Sequence, residues 1–454
     1  MNRPRLAVLL LAVLLSAASD AAVAQTSLTI YNDGRVLARR TVPLRIPSGT
    51  TQHRLALGPL DPGSVFSLDS SIIITGAQFD AAVDDLNTMR RAVGRRITFR
   101  VAAPRDTVSA LVLGTDPERF QLADGTVSFG RPGQPMYPAE LVLLEPTLTL
   151  GLRSAAARSA LPLGWFTSGA SWQANYSVML RGSTARIAGL AAIEGGALSV
   201  DSAEIQLLAG SVGNAQRPSF RDLAGRASEM MVSAAAPMGM AGSEQVGEVY
   251  LYSIPGWLRL RPGVVTTAAL FEPVSTGVER TFTVFSNLPY RGPIGQTGDE
   301  GEVPVAVTYV LRRAARTTFG DLPIPGGVVR VYQADAAGRS QLIGEATVGH
   351  TAAGQDLRVN AGTAFDLTAR RVQTSYATRR DSSRTVATAA YRVTVANAKD
   401  SVVTVDVLED RGGEWRVTQS STAADRLSAT RARFRVRVPA RGEVVLTYTL
   451  QVVW

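Results

Sequence analysis

The stretch RARFRVRV sets Arg431, Arg433, Arg435 and Arg437 in alternation with Ala432, Phe434, Val436 and Val438. On a strand this spacing puts four guanidinium groups on one face, where they either grip a polyanion or meet water. The one aromatic of the stretch falls on the opposite face. Strands that bind single-stranded nucleic acid place aromatics among the cations, for base stacking. The expected role is therefore the wet face of a hairpin, closed by the turn PARG and the apolar-alternating strand that follows. With a net charge of +9, an envelope protein or an anionic polysaccharide is the expected class of partner, and nucleic acid is not.

Other residues with chemistry to offer are few. There is no cysteine and only two histidines, His53 and His350, which leaves too few imidazoles and thiolates for a typical zinc site. His350 lies in ATVGHTAAGQD with Asp356 nearby, a pairing better read as a hydrogen-bonded turn than as a general base and its orienting acid. Ser168 in TSGAS lacks the first glycine of a nucleophile elbow and reads as a strand-flanking turn. Asp299, Glu300 and Glu302 in TGDEGE are a carboxylate cluster of the kind calcium takes, but their spacing fits a solvated hairpin tip better. Trp165, Trp172 and Tyr176 have the chemistry to stack on sugars, and their strand-like spacing makes them core. No P-loop, HExxH or EF-hand pattern occurs. No catalytic, cofactor-binding or metal-ligating residue is assigned.

The elements that must position these groups are strands. Apolar residues alternate with polar ones, and turn residues break the pattern every ten or so positions, as in antiparallel sheets with one solvated face. The expected fold is mainly β: a small N-terminal β domain with one short helix, then antiparallel β-sandwich domains, the last immunoglobulin-like. Arg3 and Arg5, the apolar run Leu6 to Leu15 and Ala22-Val23-Ala24 have the order of a secretory signal peptide, residues 1–24. The N-terminal domain spans 25–141, opening with a hairpin at Asn32-Asp33-Gly34 and containing a helix from Phe79 to Val93 and a small barrel-like part. A central sandwich spans 142–370. It is interrupted at 215–246 by a mobile connection that holds Met230, Met231, Met238 and Met240. The immunoglobulin-like sandwich takes 371–454.

The segments LPIPGGVVRVYQAD, IGEATVGHTAAGQDLRVNAGTAFDLTARRVQTSY and YTLQVVW, with SGASWQANYSVML and IQLLAGSVG before them, resemble the mucoidy-inhibitor-like family of bacterial exported proteins. The resemblance runs from about Val142 to Trp454. It implies a C-terminal domain of unknown function with no agreed catalytic residues. This chain departs from the longer members in having no coiled coil. The expected function is that of an exported, non-enzymatic, extracytoplasmic β-sandwich protein that binds or scaffolds. The alternatives are an outer-membrane β-barrel, prompted by Trp454 behind Tyr448, Leu450 and Val452, and a carboxylate-dependent glycan hydrolase.

Overall fold

The computed structural model describes residues 26–101, 107–210, 212–213, 243–285, 294–381 and 384–454. The expected signal peptide and the four methionines of the 215–246 segment lie outside them. Within that segment, Ser243–Val246 form a strand that pairs with Val249–Leu260. The chain is mainly β, and the described residues hold strands in four sheets and two short helices. None of the described helices is long and apolar enough to cross a membrane.

The opening hairpin forms as its turn chemistry requires. Thr26–Tyr31 pairs antiparallel with Arg35–Ile46, and Gly34 takes φ 86°, a left-handed conformation that a side chain would strain. Its inward residues Leu28, Ile30, Val36 and Ala38 pack into one core with Trp165, Tyr176, Ile205 and Val329. The reason is a parallel pairing of Thr26–Tyr31 with Val200–Ala209, which sews the first strand into a seven-stranded sheet. Segments on both sides of the expected break at 141/142 therefore build a single core. Alternation marks which face is buried but not what covers it.

A second core occupies the C-terminal part, with Phe434, Tyr391, Tyr448, Val405 and Leu450 among its members. Three long strands serve both cores. Val265–Phe285 gives Leu270 and Phe271 to the first and Phe282 and Val284 to the second. Asp299–Leu311 likewise divides Tyr309 and Leu311 from Val303 and Val305. Leu357–Asp381 divides Leu357 and Val359 from Leu367 and Ala369, and the expected break at 370/371 falls inside it. Between the two halves of Leu357–Asp381 the register with Asp299–Leu311 shifts around Gly362, which has φ 100°. Such irregularities bend a strand and let it leave one core for another.

The third core is small: Met89, Ala92, Ile97, Phe99, Ala110, Val112, Phe120 and Leu141. A helix, Asp85–Arg91, covers a five-stranded sheet here. It is shorter than the expected Phe79–Val93 because Asp84 caps it, accepting from the Asn87 N–H, while Phe79 and Asp80 are drawn into a strand against Thr147–Ser154. The expected apolar face also differs. Val83, Leu86 and Val93 are exposed, and the helix buries Thr88 and Met89. Where a small barrel was expected, the five strands run in one open order from Gln134–Met136 to Val127–Phe129.

Candidate functional site

The arginine strip lies on the solvent side of Arg431–Val438, with Ala432, Phe434, Val436 and Val438 buried behind it. Neighbouring strands bring carboxylates to it. Arg431 forms two hydrogen bonds with Asp410, at 2.5 and 2.8 Å. Arg433 donates to Asp425 at 2.9 Å, and Asp406 lies 3.7 Å from Arg435. Three of the four charges are thus countered within the protein, so the strip is not a free anion grip. The expected hairpin with the last strand does not form. Arg431–Val438 pairs with Val403–Asp410, while Gly442–Val453 pairs with Arg384–Asn397 and Glu414–Ser420. The PARG turn crosses between layers instead, because stacking Phe434 on Tyr448 at 4.6 Å buries both inward faces.

The remaining sequence candidates are dispersed. His350 lines a recess of about 310 Å³ with Asn32, Trp172 and Gln173, and its Nδ1 accepts from the Gly326 N–H at 3.0 Å. Asp356 accepts instead from Arg312 at 2.6 Å and the Arg313 N–H at 3.0 Å, so it does not orient the imidazole. Ser168 ends the strand Arg158–Ser168 at the passage into another sheet. Trp165, Trp172 and Tyr176 are buried, and the Tyr176 hydroxyl donates to the Pro325 carbonyl at 2.7 Å. The acidic cluster is divided: Asp299 pairs with Arg370 in solvent, while Glu300 turns inward to Arg371. Among the described residues no group of three or more potential metal ligands comes together.

The densest constellation is one the sequence reading passed over. Arg371, 3% exposed, donates to Glu300 at 2.5 and 2.6 Å, to Glu409 at 2.7 Å and to the Tyr448 hydroxyl at 3.2 Å. Its guanidinium also lies 3.9 Å from the Tyr391 ring centroid. Glu409 is 0% exposed; Tyr448 donates to it, and Arg411 sits 3.3 Å from its second oxygen. Gln373 extends the network to the Tyr391 hydroxyl, the Gly295 carbonyl and the Thr297 N–H. Burial opposes the charge of Arg371, but Glu409, Tyr448 and Glu300 outweigh it and hold the guanidinium well above its usual range. Burial and the adjacent Glu409 charge push the Tyr448 phenol far up, so it stays a neutral donor.

A signal for these residues was present in the chain. Glu409 continues the inward phase of Val403, Val405 and Val407, and Arg371 continues that of Leu367 and Ala369. A charge at an inward position of a strand needs a partner across the core. The exposed-looking pair Arg370-Arg371 concealed this, since adjacent strand residues face opposite ways. A buried cation outside this network, Arg313, has a different solution: it donates to the carbonyls of Phe319, Ala352, Gln355 and Leu322, tying two loops together. Desolvation lowers its pKa.

In chemical terms the network is two arginines and two carboxylates largely withdrawn from water, with the Tyr448 hydroxyl bridging Arg371 and Glu409. It can lock strands in register around a fully buried Glu409. No family model and no curated protein matches the chain.

Proposed function

We propose that the chain is a non-enzymatic binding or scaffolding protein, exported after removal of residues 1–24 and held at the cell envelope or secreted. The observation that carries this reading is the placement of charge. The groups most able to do acid–base work, Glu409, Arg371 and Tyr448, are engaged with one another inside a core, so they serve architecture. Large sheet faces are what the protein offers to partners. The resemblance to the mucoidy-inhibitor-like family and an immunoglobulin-like character for 371–454 belong to the same reading.

Purified chain lacking residues 1–24 tests it when mixed with isolated bacterial envelopes. The expected result is co-sedimentation with the envelopes and no release of soluble sugar. Release of glycan fragments would replace the reading with a hydrolase, and a chain that stays wholly in the supernatant would remove envelope binding.

A further inference from the structure

The outer face of the five-stranded sheet between residues 96 and 136 is covered by nothing among the described residues. Its strands are Arg96–Arg100, Thr107–Thr115, Glu118–Gln121, Val127–Phe129 and Gln134–Met136. Ile97, Phe99, Ala110, Val112 and Phe120 point the other way, into the core beneath the helix. Register then fixes what lies outside. Arg96 stands opposite Leu111, Leu111 opposite Gln121, and Gln121 opposite Val127. Arg119 stands opposite Phe129, and Arg100 opposite both Thr107 and Gln134. Phe129 is 74% exposed, and Val127, Leu113 and Met136 are exposed beside it.

This face differs from the RARFRVRV strip in two ways. Arg96, Arg100 and Arg119 have no hydrogen-bond or ion-pair partner among the described residues, whereas most of the strip is neutralised by Asp406, Asp410 and Asp425. The outward positions of the five strands also contain no Asp or Glu. Three of the nearby carboxylates are engaged elsewhere: Arg131 takes Asp85 and Glu118, and Asp124 holds its own turn through Thr126. Here an aromatic shares the face with the cations.

We infer that this face binds an extended acidic polysaccharide of the uronate type, a deepening that rests on the binding function proposed above. Strand rise and spacing set Arg96 about 12–13 Å from each of Arg100 and Arg119, and those two about 22 Å apart, a span that suits a polymer with repeated charge and not a single small anion. Arginine is the cation whose planar fork matches a carboxylate through two parallel hydrogen bonds. Between the arginines stand Thr98, Thr107, Ser109, Gln121 and Gln134, which exchange hydrogen bonds with sugar hydroxyls. Phe129 offers a ring to the apolar face of a sugar. Single-stranded nucleic acid is disfavoured because its readers stack successive bases on several aromatics, and this face has one.

The test is binding of polygalacturonate by the purified chain, measured by calorimetry at several salt concentrations, with dextran as the neutral control and a single-stranded oligodeoxynucleotide as competitor. The wild type is expected to bind polygalacturonate with affinity falling steeply with salt, and to ignore dextran. The triple variant Arg96→Ser, Arg100→Ser, Arg119→Ser should lose about tenfold or more and show a shallower salt slope, with unchanged melting. Phe129→Ala should weaken binding about threefold and leave the slope unchanged. Undiminished binding by a folded triple variant would remove this face as the site while leaving the envelope-binding reading intact. A wild type that fails to bind polygalacturonate, or that prefers the oligonucleotide, would overturn the inference. Co-sedimentation with envelopes then decides separately whether the broader reading survives.

Discussion

Arg371 sits where its charge is answered by Glu300 and Glu409 with almost no contact with water. Removing one partner from such a group leaves the others desolvated and unpaired, which costs more than the pair contributes. Arg371→Met is therefore expected to destabilise the protein by about 3–5 kcal/mol in urea unfolding. Adding Glu409→Leu should cost less than the sum of the two single variants, because the second change removes the stranded carboxylate. The buried phenols give a pH prediction. Burial raises the pKa values of Tyr448, Tyr176 and Tyr252 above the ordinary 10.0. A raised phenol favours folding while protonated, so this stability is intact below pH 10 and declines as pH climbs past it. Tyrosinate absorbance is expected to show these rings ionising together with loss of the fold. Part of this is legible in the sequence: alternation marks Tyr448, and the inward phase of Val403, Val405 and Val407 runs on to Glu409, a signal the sequence analysis does not use, but their mutual contact depends on strands far apart in sequence.

For the strand Arg431–Val438, alternation divides function between two faces and the energetic consequences follow. Phe434 is fully buried and stacks on Tyr448, so Phe434→Ala should cost about 3–5 kcal/mol. Arg435→Ser with Arg437→Ser, on the solvent side, should change thermal melting by less than about 0.5 kcal/mol each. The contrast fails if both sets of changes shift melting equally. Backbone approach sets a second requirement at Gly327, which opens a strand paired in parallel with Ser171–Arg181. A Cβ there would come within 2.2 Å of the Ala174 carbonyl oxygen, with rigid backbone on the far side. Gly327→Ala is expected to destabilise by about 1–3 kcal/mol or more, read as a lowered urea midpoint. Local pattern placed the RARFRVRV strand correctly but misread its neighbour, because the PARG turn is equally able to close a hairpin or to cross between layers.

Across the whole molecule, the strands Val265–Phe285, Asp299–Leu311 and Leu357–Asp381 bind the two large cores into one mechanical unit. Leu150→Ala in the first core and Leu450→Ala in the second should each lower the same calorimetric transition by an amount equivalent to about 2–5 kcal/mol. Two transitions, each moved by only one variant, would show that the cores melt independently. The sequence by itself determined that the chain is mainly β, that Asn32-Asp33-Gly34 turns a hairpin and that Trp165, Trp172 and Tyr176 are core, since these depend on period-two burial and on the φ a turn requires. Only the tertiary structure decided that the first strand joins Val200–Ala209, that Glu300 and Arg371 meet inside a core, and that Arg96, Arg100 and Arg119 have no carboxylate partner among the described residues. The physical reason is that alternation specifies which side of a strand shuns water, whereas the strand that pairs beside it and the layer that covers it are settled by burial summed over the whole chain.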